Sequence, residues 1–297
     1  MNYHFTVPDY KKVRVILDSD TANEADDPFA IVHALLSPKM MVKGIVAEHY
    51  GEENSMEASY EAIQKLVAVM KNDTPVFRGE EFPFSEEKAS SEGVQFMIEE
   101  ARKEEKYPLY ILCMGALTNV ARALQTAPDI AEKVTVVTIG GRPYTDCSDA
   151  FDDNFREYNF GNDVAAANTV LMSKAEIWQI PANVYSMVRI GIADLQLRLE
   201  ACKETGKYLL RQLDEFNQTE RAFWTTGESW SLGDSPSVTV VLDPTSGYYH
   251  VRQAYMVNED TSYAEAIEGK KIRVYDYIDK HYLLSDFFAK LTLFERR

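Results

Sequence analysis

The chain reads as an α/β protein built on an open, mostly parallel sheet with helices on both faces. Three observations predict this. Segments rich in apolar residues recur at residues 13–17, 41–47, 109–113, 134–139 and 176–180, as buried parallel strands read. Segments of helical apolar spacing separate them, so the connections should be right-handed crossovers. The first strand also ends in a loop dense with acids, and in open α/β sheets ligands bind at the carboxyl ends of the strands.

That loop organises the rest. Residues 13–17 run into Asp18, Asp20, Glu24, Asp26 and Asp27, after which Pro28 to Leu36 repeat at helical spacing. Carboxylates so close together repel one another and resist burial unless a cation or hydrogen bonds compensate. Hard oxygen donors suit Ca²⁺ or Mg²⁺, and Ca²⁺ better tolerates the irregular geometry of a loop. Asp26 and Asp27 alone could be explained by the helix dipole. Five acids on one loop favour a metal site.

The remaining elements follow in order. The second strand ends at Glu48-His49-Tyr50-Gly51, and Ser55 is placed to cap a helix over 56–70. A short strand at 75–77 precedes a helix over 91–103. Strand 109–113 leads through Met114-Gly115-Ala116-Leu117 to Thr118 and Asn119, which capping suffices to explain, and a helix through Leu124. Strand 134–139 ends in Gly140-Gly141. The polar segment 142–163 is long enough to suggest a functional loop, and Glu157 and Asn159, two apart, share one side of it if it is extended.

A helix over 163–172 and strand 176–180 resume the alternation. Residues 193–216 look helical, followed by an aromatic segment holding Trp224 and Trp230. Asp234 precedes Ser235-Pro236, so it is either a helix cap or a ligand, and an apolar run follows over 238–242. A late strand at 271–277 and a helix over 286–293 close the chain.

With 297 residues, 45% hydrophobic, and no break in composition, residues 1–297 are expected to form a single domain. Net charge is −16, from 47 acidic against 31 basic residues, which argues against nucleic acid or an anionic membrane as partner. Three scattered cysteines suit neither a disulfide framework nor a zinc site. With no signal-peptide core and no membrane-spanning run, a cytoplasmic setting is expected.

The acidic loop, Gly115-Ala116-Leu117-Thr118-Asn119, Glu157-Tyr158-Asn159 and Gly233-Asp234 together resemble the signature segments of the inosine–uridine-preferring nucleoside hydrolase family, in its order and roughly its spacing. Two departures stand out. The loop between Asp20 and the Asp26-Asp27 pair is two residues longer than the family's, adding Asn23 and Glu24. Gly233 stands where the family usually has His.

The resemblance implies a nucleoside hydrolase-like fold and a small-molecule ribonucleoside as substrate. It also implies Ca²⁺ held by Asp20, Asp27, the Met114 carbonyl and Asp234, and a homodimer or homotetramer. Asp20 would take a proton from the attacking water, and Asp26, Glu157 and Asn159 would hold the ribose hydroxyls. Asp18 would support the loop. Without the usual His, the departing base could be protonated by His49, the one histidine ending a strand on the predicted active face, or stacked upon by Trp224 and Trp230.

Two rival readings remain at this level. Asp18-Ser19-Asp20 after a strand also resembles the first motif of haloacid-dehalogenase-like phosphatases, with Asp18 as nucleophile and Mg²⁺ as cofactor. The altered loop and missing His would also suit a non-catalytic nucleoside- or ribosyl-binding protein.

Overall fold

The computed structural model describes residues 3–84, 90–144 and 147–295, so Thr145 and Asp146 of the polar segment lie outside the described residues. Strands β1 (Val13–Ser19), β2 (Met40–Ala47), β3 (Val76–Arg78), β4 (Leu109–Cys113), β5 (Val134–Ile139) and β6 (Glu176–Ile180) are mutually parallel. A ribbon of β7 (Arg189–Gly191) and β8 (Ser229–Ser231) stands apart. Then β9 (Gly247–Val257) and β10 (Tyr263–Ile278) form a long hairpin, β10 joining β6 in parallel and β9 ending the sheet antiparallel.

The sheet order is β3-β2-β1-β4-β5-β6-β10-β9. The chain thus leaves β1 in one direction toward β2 and β3 and in the other toward β4, β5 and β6. The carboxyl ends of β1 and β4 flank this point of reversal, where the diverging loops leave a crevice. The Met114 amide donates to the Asp18 carbonyl at 2.9 Å across it.

All seven residues of β1 are buried, as a central parallel strand demands. Its side chains alternate between two apolar cores. Val15 and Leu17 enter one, with α1 (Asp27–Leu35), α2 (Ser55–Val69), α8 (Ile192–Leu199), α9 (Glu204–Asn217), α10 (Ser235–Leu242) and α11 (Lys280–Glu295). Ile16 enters the other, with α3 (Glu92–Arg102), α4 (Thr118–Thr126) and α6 (Val164–Met172). Two short helices, α5 (Tyr158–Asn162) and α7 (Ala182–Tyr185), lie beside the crevice.

Several local expectations are corrected. Asn54, with left-handed backbone (φ 59), occupies the cap position of α2, while the Ser55 hydroxyl donates to the Glu52 carbonyl at 2.6 Å. The stretch 193–216 is two helices, because the Glu295 carboxylate accepts the Lys203 and Thr205 amides (3.1 and 2.9 Å) and starts α9 afresh. β10 and α11 begin well before 271 and 286. The β9 strand went unpredicted: its exposed tyrosines and His250 hide the apolar alternation of a half-buried strand. Among the described residues no helix is long and apolar enough to cross a membrane.

Candidate active site

The acidic loop leaves β1 and delivers its carboxylates to the crevice. The Ser19 hydroxyl donates to Asp27 Oδ1 and also meets Thr21, fixing Asp27 at the first turn of α1. Asp26 holds the cap position of α1 yet makes no capping bond. The backbone amides of Gly233 and Asp234 lie close enough to its carboxylate to favour the charged form, at the start of α10. Asp234 likewise sits at the cap position of α10 without capping it. Carboxylate oxygens of Asp26, Asp27 and Asp234 lie within 4.8 Å of one another.

Asp20 faces the same crevice. Gly115 makes room for it: a Cβ there would stand 2.7 Å from Asp20 Cγ. Asp20 Oδ2 is buried without a hydrogen-bond partner. Burial pushes Asp20 well above the carboxylate range, and the charges of Asp27, Glu24 and Asp26 push it further. Asp27 rises for the same reasons, burial first, and so does Asp234. Burial and the neighbouring aspartates lift Glu24 to about 8, against the pull of Arg221. Several carboxylates converge, at least one with an orphaned oxygen, on an all-oxygen donor set. These residues fit a hard divalent cation.

The cavity above them holds about 550 Å³, the size of a small-molecule site. Of the residues singled out from the sequence, Asp20, Asp26, Asp27, Asp234, Met114 and Asn159 line it, together with Asn23 and Glu24 of the longer loop. The Asn159 amide donates to the Met114 carbonyl (3.2 Å) and the Ile139 carbonyl (2.9 Å), leaving Met114 a second lone pair. Phe151, Phe155, Tyr158, Tyr185, Phe223 and Trp224 supply aromatic walls.

Other residues singled out from sequence lie elsewhere. Glu157 does not line the cavity. It caps α5 by accepting the Asn159 and Phe160 amides (3.1 and 2.9 Å) and takes the Tyr185 hydroxyl at 2.9 Å, so the segment is a helix start rather than extended chain. Trp230 is fully buried, packed edge-on by Trp224 at 4.9 Å. His49 is also buried. Its Nδ1 accepts the Gly51 amide, which leaves Nε2 to donate to the Thr118 hydroxyl, and Thr118 in turn donates to Asp163. Burial lowers the His49 pKa against the opposing charge of Asp163, and His49 does not line the cavity.

Thr118 and Asn119 are not caps. The Asn119 amide donates to Asp18 Oδ1 (2.8 Å) and the Ala47 carbonyl, and its oxygen accepts the Glu80 amide. Asp18 is thereby sealed inside β1, fully buried and away from the cavity, which removes it as a phosphatase nucleophile. Gly233 has its own logic: a side chain there would press on Asp26 Oδ2 (3.2 Å) and the Tyr185 ring (3.3 Å). Tyr158 was legible as part of Glu157-Tyr158-Asn159. Tyr185, Phe155 and Phe223 carried no signal beyond their aromaticity.

Comparison with known proteins agrees with this geometry. A sequence model of the family described as inosine-uridine preferring nucleoside hydrolase matches residues 15–279. Uridine nucleosidase 1 of Arabidopsis thaliana is 25% identical over 233 residues, 69% of this chain and 67% of that protein. Pyrimidine-specific ribonucleoside hydrolase RihA of Salmonella paratyphi A is 25% identical over 211 residues, 61% of this chain and 64% of that one. Among solved structures, a purine-preferring ribonucleoside hydrolase from Gardnerella vaginalis shares the fold with a TM-score of 0.77 at 22% identity, covering 95% of this chain and 99% of that one. The plant nucleoside hydrolase PpNRh1 gives 0.76 at 20% identity, with 94% and 99% covered.

Proposed function

From the premise that this chain belongs to the inosine-uridine preferring nucleoside hydrolase family, we propose that it cleaves the N-glycosidic bond of ribonucleosides with Ca²⁺ held by Asp20, Asp27, Asp234 and the Met114 carbonyl. The observation that carries this reading is the meeting of Asp26, Asp27 and Asp234 beneath a cavity that Asp20 also lines. When bound, the cation supplies the positive charge that offsets these carboxylates and acidifies nearby water.

Asp20 accepts the proton of the attacking water as its oxygen bonds to the anomeric carbon. The glycosidic bond breaks toward the base, which keeps the electron pair, and the carboxylate floor steadies the oxocarbenium-like charge on the sugar. Asp26 and Asn159 hold ribose hydroxyls over the floor. Glu157 acts one step back, orienting Asn159 through its backbone amide and Tyr185 through its hydroxyl. Trp224 offers the base an aromatic face.

The test is ribose release from uridine and inosine, measured with and without a chelator and in Asp20→Asn. Release that stops on chelation, returns with Ca²⁺ and is lost in the variant is expected. Release indifferent to chelation overturns the metal assignment, and binding without any release would leave a ribosyl-binding protein.

A further inference from the structure

Every arginine of the described residues stands in an ion pair with a carboxylate except Arg142, Arg156 and Arg189. In a chain of net charge −16, that is not for want of acids. Arg156 and Arg189 line the cavity above the aspartates. Arg142 donates to the Phe151 and Asp152 carbonyls, holding the segment that brings Phe151 and Phe155 to the same cavity.

Arg156 is oriented by the carbonyls of Glu259 (3.1 Å) and Gly161, which position a guanidinium without neutralising it. Arg189 opens β7, pairs through its backbone with Ser231, and its side chain has no partner among the described residues. Two guanidinium groups outside any ion pair, lining one cavity, form a match for phosphate oxygens, which they recognise by paired N–H forks. They would also offset the repulsion an anion meets on entering an acidic protein.

Resting on the hydrolase reading above, we propose that Arg156 and Arg189 form a subsite for a phosphate carried on the ribosyl substrate, so that the favoured substrate is a ribonucleoside monophosphate. The bond cleaved is the same. Water adds its hydroxyl to the anomeric carbon and loses a proton to Asp20, the base leaves with the electron pair, and the phosphate stays on the released ribose.

The test compares kcat/KM for uridine 5′-monophosphate against uridine, and inosine 5′-monophosphate against inosine, with calorimetry of ribose 5-phosphate against ribose. For at least one base the wild type should favour the monophosphate roughly tenfold or more, and Arg189→Ala and Arg156→Ala should each shrink that ratio, Arg189→Lys less so. A ratio at or below one for both bases, or one that neither alanine variant changes, overturns the subsite. If no compound yields free base, the hydrolase reading fails and calorimetry decides the subsite. Ribose 5-phosphate binding that exceeds ribose binding and is lost in Arg189→Ala sustains it, and equal binding overturns it.

Discussion

Gly115 and Asp20 fit together so closely that a Cβ on the glycine would stand 2.7 Å from the aspartate's carboxyl carbon. The strand end of β4 thus shapes where the proposed base of β1 can sit. Gly115→Ala should displace the Asp20 carboxyl while leaving the fold intact. A displacement near 1 Å costs on the order of 100-fold in rate. The expected result is a kcat lower by about that factor, with unchanged circular dichroism and KM changed far less than kcat.

Asp27 and Asp234 come from opposite ends of the chain to one spot. Asp27→Asn or Asp234→Asn should weaken Ca²⁺ binding by ~100-fold or more, since even groups behind a ligand are worth 10–100-fold. Titration calorimetry reads the affinity. Each variant should also raise the melting temperature of the cation-free protein by relieving repulsion among buried carboxylates.

Stability should depend on pH with a sign set by the same acids. Burial first, then neighbouring charge, lifts Asp27 to about 7 from an ordinary 3.8, and burial lifts Asp26 to about 6. A carboxyl whose folded pKa is raised contributes stability below its unfolded value and loses it as pH climbs through the folded one. Between roughly pH 4 and 8, the chelated protein should therefore melt progressively lower than the same protein in excess Ca²⁺. Scanning calorimetry checks this, and Asp27→Asn should narrow the gap.

The two tryptophans should separate by what they do. Trp230 is fully buried between Phe216 and Trp224, so Trp230→Ala should cost about 3–5 kcal/mol in denaturant unfolding. Trp224 lines the cavity and is half-buried. Trp224→Ala should lower kcat/KM by roughly tenfold, a stacking contribution near 1.4 kcal/mol, with a smaller loss of stability.

Asn119 binds together the ends of three strands by its contacts to Asp18, Ala47 and Glu80. Asn119→Leu would strand the Asp18 carboxylate and two backbone groups. A loss of about 1–3 kcal/mol for each group left without a partner is expected, read from urea unfolding, with Asn119→Asp destabilising too through the added charge.

Much of this was legible in the sequence, and the reasons are local. Four of the five residues from Val13 to Leu17 are apolar, as a strand covered on both faces reads. Asp20, Asp26, Asp27 and Asp234 could be paired only because the spacing of separate segments resembled a known family, since nothing within either segment points to the other. His49 and Glu157 read as active because they end a strand or sit in a motif. Yet their side chains turn inward to satisfy Gly51, Thr118 and the first amides of α5, and orientation of that kind leaves no trace in one sequence. Tyr185 and Arg189 reach the cavity from a short helix and ribbon too brief to carry any periodicity.

The Asp26-Asp27 pair belongs to the first helix and Asp234 to the tenth, so most of the polypeptide lies between them. An ion gripped by both ends acts as a removable staple, closing that length into a single loop much as a crosslink would. Loaded protein should then resist proteolysis as a unit, whereas chelation should expose the β1–α1 junction and the 231–234 turn to cutting first.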